Sequence, residues 1–275
     1  MNAIEIQDLT KHYQGFSLEK LNLTLPRGCI MGLVGENGAG KSTTIRLLLG
    51  MARADGGQIT VLGGKLDTDA KQRIGVVLDE PGLPSILNAI QIGRLMGGIY
   101  KNWDPDAYAE YLDRLSIPAG KSFKELSKGT KMKLSLAVAL SHGAELLILD
   151  EATSGLDPVV RDDVLDILNE FTRNERNSVL ISSHIVSDLE KICDYIAFLH
   201  QGSLMLCREK DELLNEYAFV QGNREEIDRL NPIGRRDGRF GTEAIVRRCA
   251  IPDGMKTCPI TIEDLFVFMA KEGRK

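Results

Sequence analysis

The run Gly35-Glu36-Asn37-Gly38-Ala39-Gly40-Lys41-Ser42-Thr43 carries the residue types and spacing needed to hold a phosphate group. In the pattern G-x-x-x-x-G-K-[ST], glycines let the backbone curl until successive N–H groups point inward as an anion nest. Lys41 adds a positive charge for the outer phosphates of a nucleotide, and the Ser42 hydroxyl is a hard oxygen ligand suited to Mg²⁺. A second group is Asp150-Glu151, two carboxylates directly after the apolar run Leu146-Leu147-Ile148-Leu149. A carboxylate at that place can hold Mg²⁺, directly or through water, and its neighbour can act as base or orienter for an attacking water. A third is Ser127, which opens a helical stretch as a good N-cap and so makes a second anion-ready terminus. One phosphate group needs one cradle, so two cradles in one chain leave open whose phosphate the second serves.

These groups need particular elements to position them. Cys29-Ile30-Met31-Gly32-Leu33-Val34 reads as a buried strand, and Thr43-Thr44-Ile45-Arg46-Leu47-Leu48-Leu49 as a helix whose positive end faces the phosphates. Leu146–Leu149 and Val179-Leu180-Ile181-Ser182 are short apolar runs of the buried parallel kind, which places Asp150 at the ligand-bearing end of an α/β sheet. A helix from Pro158 to about Thr172 separates them. Residues 3–25 read as antiparallel strands by alternation, and Arg73–Leu78 as another strand ending in Asp79-Glu80-Pro81-Gly82. Ser85 to about Leu115 has a helical pattern, and Tyr195–Leu206 reads as a hairpin around His200-Gln201-Gly202. After Tyr217 come a short strand, a hairpin turn at Arg236-Asp237-Gly238-Arg239, and a capping box at Thr261–Asp264 that opens a last helix. Arg235, Arg236, Arg239, Arg247 and Arg248 in this part read as a solvated face rather than a grip on an anionic partner.

Composition narrows the function classes. The 275 residues are 43% hydrophobic and 27% charged, with a net charge of −5, which is ordinary for a globular protein and argues against a nucleic-acid surface. Five cysteines without a C-x-x-C pair fit a reducing compartment, and four scattered histidines give no zinc site. Met1–Ile6 has neither a basic start nor an apolar core, so no signal peptide is expected. No stretch approaches the roughly 20 apolar residues of a membrane helix, so any membrane-spanning part belongs to another chain.

From about Ile4 to Met205 the chain resembles the nucleotide-binding subunit of an ATP-binding cassette (ABC) transporter. Leu126-Ser127-Lys128-Gly129-Thr130 resembles the family signature, commonly Leu-Ser-Gly-Gly-Gln; Ser154-Gly155-Leu156-Asp157 resembles the D-loop. His184, in Ser182-Ser183-His184, sits where the switch histidine belongs, and Tyr13 matches the aromatic that stacks on adenine. The resemblance implies an α/β fold: a P-loop NTPase core with a mixed sheet, an antiparallel β subdomain and a helical subdomain at about 80–143. Residues 1–217 would form the ATPase domain and 218–275 a small C-terminal α+β appendage. It further implies ATP and Mg²⁺, with Gly35, Asn37, Gly38, Ala39, Gly40, Lys41, Ser42 and Thr43 around the phosphates and Ser42, Asp79 and Asp150 toward the metal. Glu151 would polarise water and His184 would contact the γ-phosphate. Two subunits would sit head to tail, each closing the other's ATP with Ser127 and Gly129, and Asp157 would link the two sites. Three residues depart from the family pattern: Lys128 and Thr130 replace a glycine and a glutamine of the signature, and Asp79 replaces the Q-loop glutamine, so that it accepts hydrogen bonds but does not donate them.

The Leu-Ser-Lys-Gly form and short appendage resemble prokaryotic exporters of drugs, peptides or lipids. The expectation is an exporter ATPase, peripheral on the cytoplasmic face of the membrane through separate permease subunits. The alternatives are an importer ATPase with a regulatory appendage and an ABC ATPase acting on ribosomes or DNA; the single cassette and the lack of heptads weigh against the latter.

Overall fold

The structure, a computed structural model, describes residues 1–80, 82–238 and 241–272. The chain opens with β1 (Asn2–Tyr13), β2 (Phe16–Pro26), β3 (Ile30–Val34), α1 (Lys41–Leu48), β4 (Gly56–Val61), α2 (Thr68–Gln72) and β5 (Ile74–Val77). The helices α3 (Ala89–Gly97), α4 (Pro105–Arg114) and α5 (Lys128–Leu140) follow. Then come β6 (Leu146–Asp150), α6 (Pro158–Phe171), β7 (Ser178–Ser183), α7 (Val186–Ile192), β8 (Tyr195–His200), β9 (Ser203–Glu209) and α8 (Lys210–Glu216). The last part holds β10 (Tyr217–Gly222), α9 (Arg224–Arg229), β11 (Gly234–Gly238), β12 (Gly241–Arg247), β13 (Thr257–Cys258) and α10 (Ile262–Glu272).

The central sheet has the order β5-β6-β7-β3-β8-β9, parallel throughout except for β9. Every residue of β3, β6 and β7 is buried, which is why each carries an apolar run, with Asp150 ending β6 and serines at both ends of β7. Alternate side chains still point to opposite faces. Met31, Leu33, Ile148, Leu180 and Leu199 pack with Leu21, Leu23 and Leu25 beneath the antiparallel sheet β2-β1-β4. Val34, Leu147, Leu149, Ile181 and Phe198 face the other way, into the core shared with the helices. All the parallel strands therefore end on one side, with β3 inside the sheet and its following loop at the open end.

The segment 85–115 is not one helix. Asn88 caps α3 in a capping box with Gln91, whereas α4 starts at the Asp104 cap with Pro105 in its first turn. Both caps outweigh the continuous apolar period across the gap. The capping box at Thr261 is present, with Asp264 N donating to Thr261 Oγ1 at 3.0 Å.

Residues beyond Tyr217 form an antiparallel sheet of order β11-β12-β10-β13 with a small core of Val220, Ile227, Leu230, Ala244 and Val246. Its other face joins the main core: Phe266 of α10 meets Phe198 of β8 edge-on at 5.2 Å, and Ile262 N donates to Glu190 Oε2. Arg235 pairs with Asp228, Arg236 with Glu243 and Arg247 with Glu216, as a solvated face would. Arg239 lies outside the described residues.

The opposite end of the central sheet is closed by charge. Glu145 receives Arg73 Nε at 2.7 Å and Arg73 Nη2 at 2.6 Å, and Arg27 Nη1 at 3.1 Å. Its own backbone N–H donates to Arg73 O and its carbonyl accepts from Ser178 N. The paired guanidinium of Arg73, with Arg27 beside it, holds the Glu145 carboxyl below the usual carboxylate range.

Candidate nucleotide site

The phosphate loop folds as its glycines require. Gly40 caps α1 at φ +111°, and a Cβ there would come within 2.9 Å of Phe16 Cζ. Thr44 N and Thr44 Oγ1 both donate to Gly40 O, at 2.8 and 3.0 Å, which ties the loop to the first helical turn. Over the loop lies a cavity of about 530 Å³. Asn37, Gly38, Gly40, Lys41, Ser42 and Thr43 form its floor, Asp79 and Glu151 stand across from them, and Gly15 and Phe16 close the hairpin side.

Lys41 is buried, and its ammonium group has well-defined partners. Nζ donates to Gly35 O at 2.6 Å and Glu36 O at 3.3 Å, and lies 3.3 Å from Glu151 Oε1. Glu151 Oε2 lies 2.6 Å from His184 Nδ1. The catalytic pair expected from sequence is therefore in contact. Glu151 adopts φ +53°, a left-handed conformation disfavoured for a residue with a side chain, and its N–H donates to Ser182 O and Ser182 Oγ at 3.1 and 3.2 Å. Ser182 Oγ donates in turn to Asp150 Oδ1 at 2.6 Å. Ser182 thus fixes both carboxylate residues where β6 ends. Its role was missed in sequence, although a hydroxyl directly after the apolar run Val179–Ile181 and two residues before His184 was a usable signal.

Ser42 and Asp79 line the cavity and Asp150 lies buried at the end of β6, but no cluster of three or more His, Cys, Asp or Glu side chains among the described residues is arranged to hold a metal. That donor set suits Mg²⁺, which takes few protein ligands and completes its shell with phosphate oxygens and water.

Ser127, Gly129 and Asp157 lie outside the cavity wall. Ser127 caps α5, its Oγ accepting from Thr130 N at 3.2 Å, and Asp157 caps α6, accepting from Val160 N at 3.1 Å. Tyr13 is also outside the wall, 47% exposed, and pairs across β1–β2 with Phe16, which is in it. Two further contacts join the functional segments: Lys128 Nζ donates to Asp79 Oδ1 at 2.7 Å, and Arg161 Nη2 donates to Leu156 O at 3.2 Å. The β8–β9 turn is clasped between the loop and the hairpin. Gly202 N donates to Ala39 O and Gly202 O accepts from Glu19 N, while a Cβ on Gly202, at φ +78°, would collide with Ser17 O.

The family model described as ABC transporter matches residues 18–154. The bacitracin transport ATP-binding protein BcrA of Bacillus licheniformis is 36% identical over 209 residues, 74% of this chain and 68% of that protein. The chain belongs to the ABC transporter family of ATP-binding proteins. The lantibiotic transport ATP-binding protein SrtF of Streptococcus pyogenes is 32% identical over 233 residues, covering 80% of this ABC ATPase and 100% of that protein. A solved ATP-binding subunit of an ABC transporter superposes with a TM-score of 0.70 at 27% identity, over 77% of this chain and 91% of the other. The protein is accordingly an ATP-hydrolysing subunit of the ABC type. No described helix is long and apolar enough to cross a membrane.

Proposed function

We propose that this ABC ATPase drives an exporter of drugs, peptides or lipids as one of two cassettes arranged head to tail beneath separate permease subunits, at the cytoplasmic face of the membrane. One observation carries the paired arrangement: Ser127 caps an anion-ready helix end outside the wall of its own ATP cavity. Such a terminus serves a phosphate held by a second cassette. Export is supported by relatives named for bacitracin and lantibiotic transport.

Within each site, Gly35 to Thr43 hold the phosphates, with Ser42, Asp150 and Asp79 toward Mg²⁺. When bound, Mg²⁺ neutralises charge on the phosphate oxygens during transfer. A triphosphate in the loop draws Lys41 from Glu151, leaving Oε1 to accept a proton from water while His184 holds Oε2. Ser127 and Gly129 of the second cassette close over the γ-phosphate, Asp157 meets the facing site, and the Tyr13–Phe16 hairpin end supplies the aromatic platform for adenine.

The permease reading is supported by an apolar groove of about 330 Å³ between α3 and α4, lined by Ile90, Gly93, Gly97, Trp103, Tyr108 and Leu112. Ile90 in its wall is exposed, as are Ile86 and Ile99 just before and after α3, an arrangement suited to a short amphipathic helix. Residues 1–217 then act as the cassette and 218–275 as a small domain docked on α7.

Mixing two inactive chains tests the shared sites. Ser127→Arg lacks a usable signature, and Lys41→Ala lacks a usable loop. A mixed pair still contains one site built from an intact loop and an intact signature, so hydrolysis returns on mixing. A mixture as inactive as its components would show that each site is built from one chain.

A further inference from the structure

Two residues at which this chain departs from its family's pattern meet in the fold. Lys128, where the signature usually has glycine, and Asp79, where the Q-loop usually has glutamine, are 49 positions apart and form an ion pair at 2.7 Å. Asp79 belongs to the wall of the chain's own ATP cavity, whereas Lys128 is the first residue of α5, directly after the Ser127 cap. The stem of Lys128 passes the D-loop, its Cδ lying 3.9 Å from where a Cβ on Gly155 would stand. A single side chain therefore spans from the signature, past the D-loop, to the nucleotide cavity.

The strength of the pair decides what it can do. The side chains are 56% and 48% exposed, so water and salt screen their attraction. Such a contact persists only while no stronger partner is near. A terminal phosphate carries more charge and more acceptor oxygens than a carboxylate, and an ammonium on a flexible stem can turn to meet it.

We propose that Lys128 and Asp79 form an exchangeable latch. Within one chain the pair holds the signature end of α5 toward that chain's own ATP cavity; ATP on a second copy takes Lys128 for its terminal phosphate and releases Asp79. Occupancy of one site thereby changes the charge in the wall of the other, which couples the two sites. The latch rests on the head-to-tail arrangement proposed above.

The test is a double-mutant cycle in the full-length Glu151→Gln chain, reading the ATP concentration that half-converts monomer to dimer by light scattering. Asp79→Asn removes the competitor for Lys128, so dimerisation needs about twofold to fivefold less ATP. Lys128→Met needs more ATP, and adding Asp79→Asn to it gives no gain, because Asp79 acts through Lys128. Lys128→Arg keeps the charge and restores the response to Asp79→Asn. An equal shift from Asp79→Asn with or without Lys128, or a rise in the ATP needed when Lys128 is present, overturns the latch and leaves the paired arrangement standing. A Glu151→Gln parent that stays monomeric at saturating ATP overturns the paired arrangement and the latch with it.

Discussion

The two ends of the central sheet are built from the same kinds of group and put to different uses. At one end Arg73, Arg27 and Glu145 meet with bidentate geometry, and the surrounding backbone groups are hydrogen-bonded across β5, β6 and β7. At the other, Lys41 touches Glu151 only at 3.3 Å, Glu151 sits at φ +53°, and Lys128 reaches Asp79 through solvent-exposed atoms. The first set of charges has each other as its best partners. On the proposed reading, the second set is held by contacts that a bound polyphosphate would replace, so charge there is available for exchange. Stability is gathered at the closed end, and strain and replaceable contacts at the end proposed to do the chemistry.

Mutations should separate the two ends. The largest effect is expected from Glu151→Gln: hydrolysis falls by about 10²–10⁴-fold while ATP binding persists, as measured by single-turnover assay and nucleotide titration. A variant turning over like the wild type would remove Glu151 from the role of base. Ser127→Arg comes next, reducing steady-state hydrolysis to background. Its monomer keeps ATP affinity, and the helix loses about 1 kcal/mol of capping. Loss of monomer binding would instead place Ser127 in its own chain's site. Lys41→Ala should weaken ATP binding by roughly 10–100-fold, read by calorimetry, because it leaves phosphate oxygens without their charged donor.

Glu145→Gln is the smallest perturbation and acts at the closed end alone. It should cost about 1–3 kcal/mol in denaturant unfolding and leave ATP affinity unchanged. Because the folded carboxyl titrates below its ordinary value of 4.5, its contribution is fully present above that pH and is lost as pH falls through the lowered value. The stability gap between wild type and Glu145→Gln should therefore narrow below pH 4.5. A gap that stays constant there would mean that charge is not what holds this end.

Much of this was legible in sequence because the signals are local. An apolar run such as Leu146–Leu149 states a buried strand, and the loop at Gly35–Thr43 states both its shape and its ligand. The split between α3 and α4 was also written locally, in Asn88 with Gln91 and in Asp104-Pro105, but the apolar period running through both helices masked it. Contacts between distant segments were not legible. Nothing near Lys128 names Asp79, nothing near Phe266 names Phe198, and the placing of Phe16 rather than Tyr13 in the cavity wall depends on how the β1–β2 hairpin bends.

The Gly202 clasp has a consequence for the nucleotide itself. By binding Ala39 on one side and Glu19 on the other, it joins the aromatic end of the cavity to the phosphate loop as a ruler of fixed length. ADP and ATP share every atom that this ruler measures. In the proposed ATP site they would differ only past its end, toward Glu151 and His184. Telling spent fuel from fresh would then fall to the side chains at that end, Lys41 and Glu151 of the cavity wall among them, and to whatever closes over it.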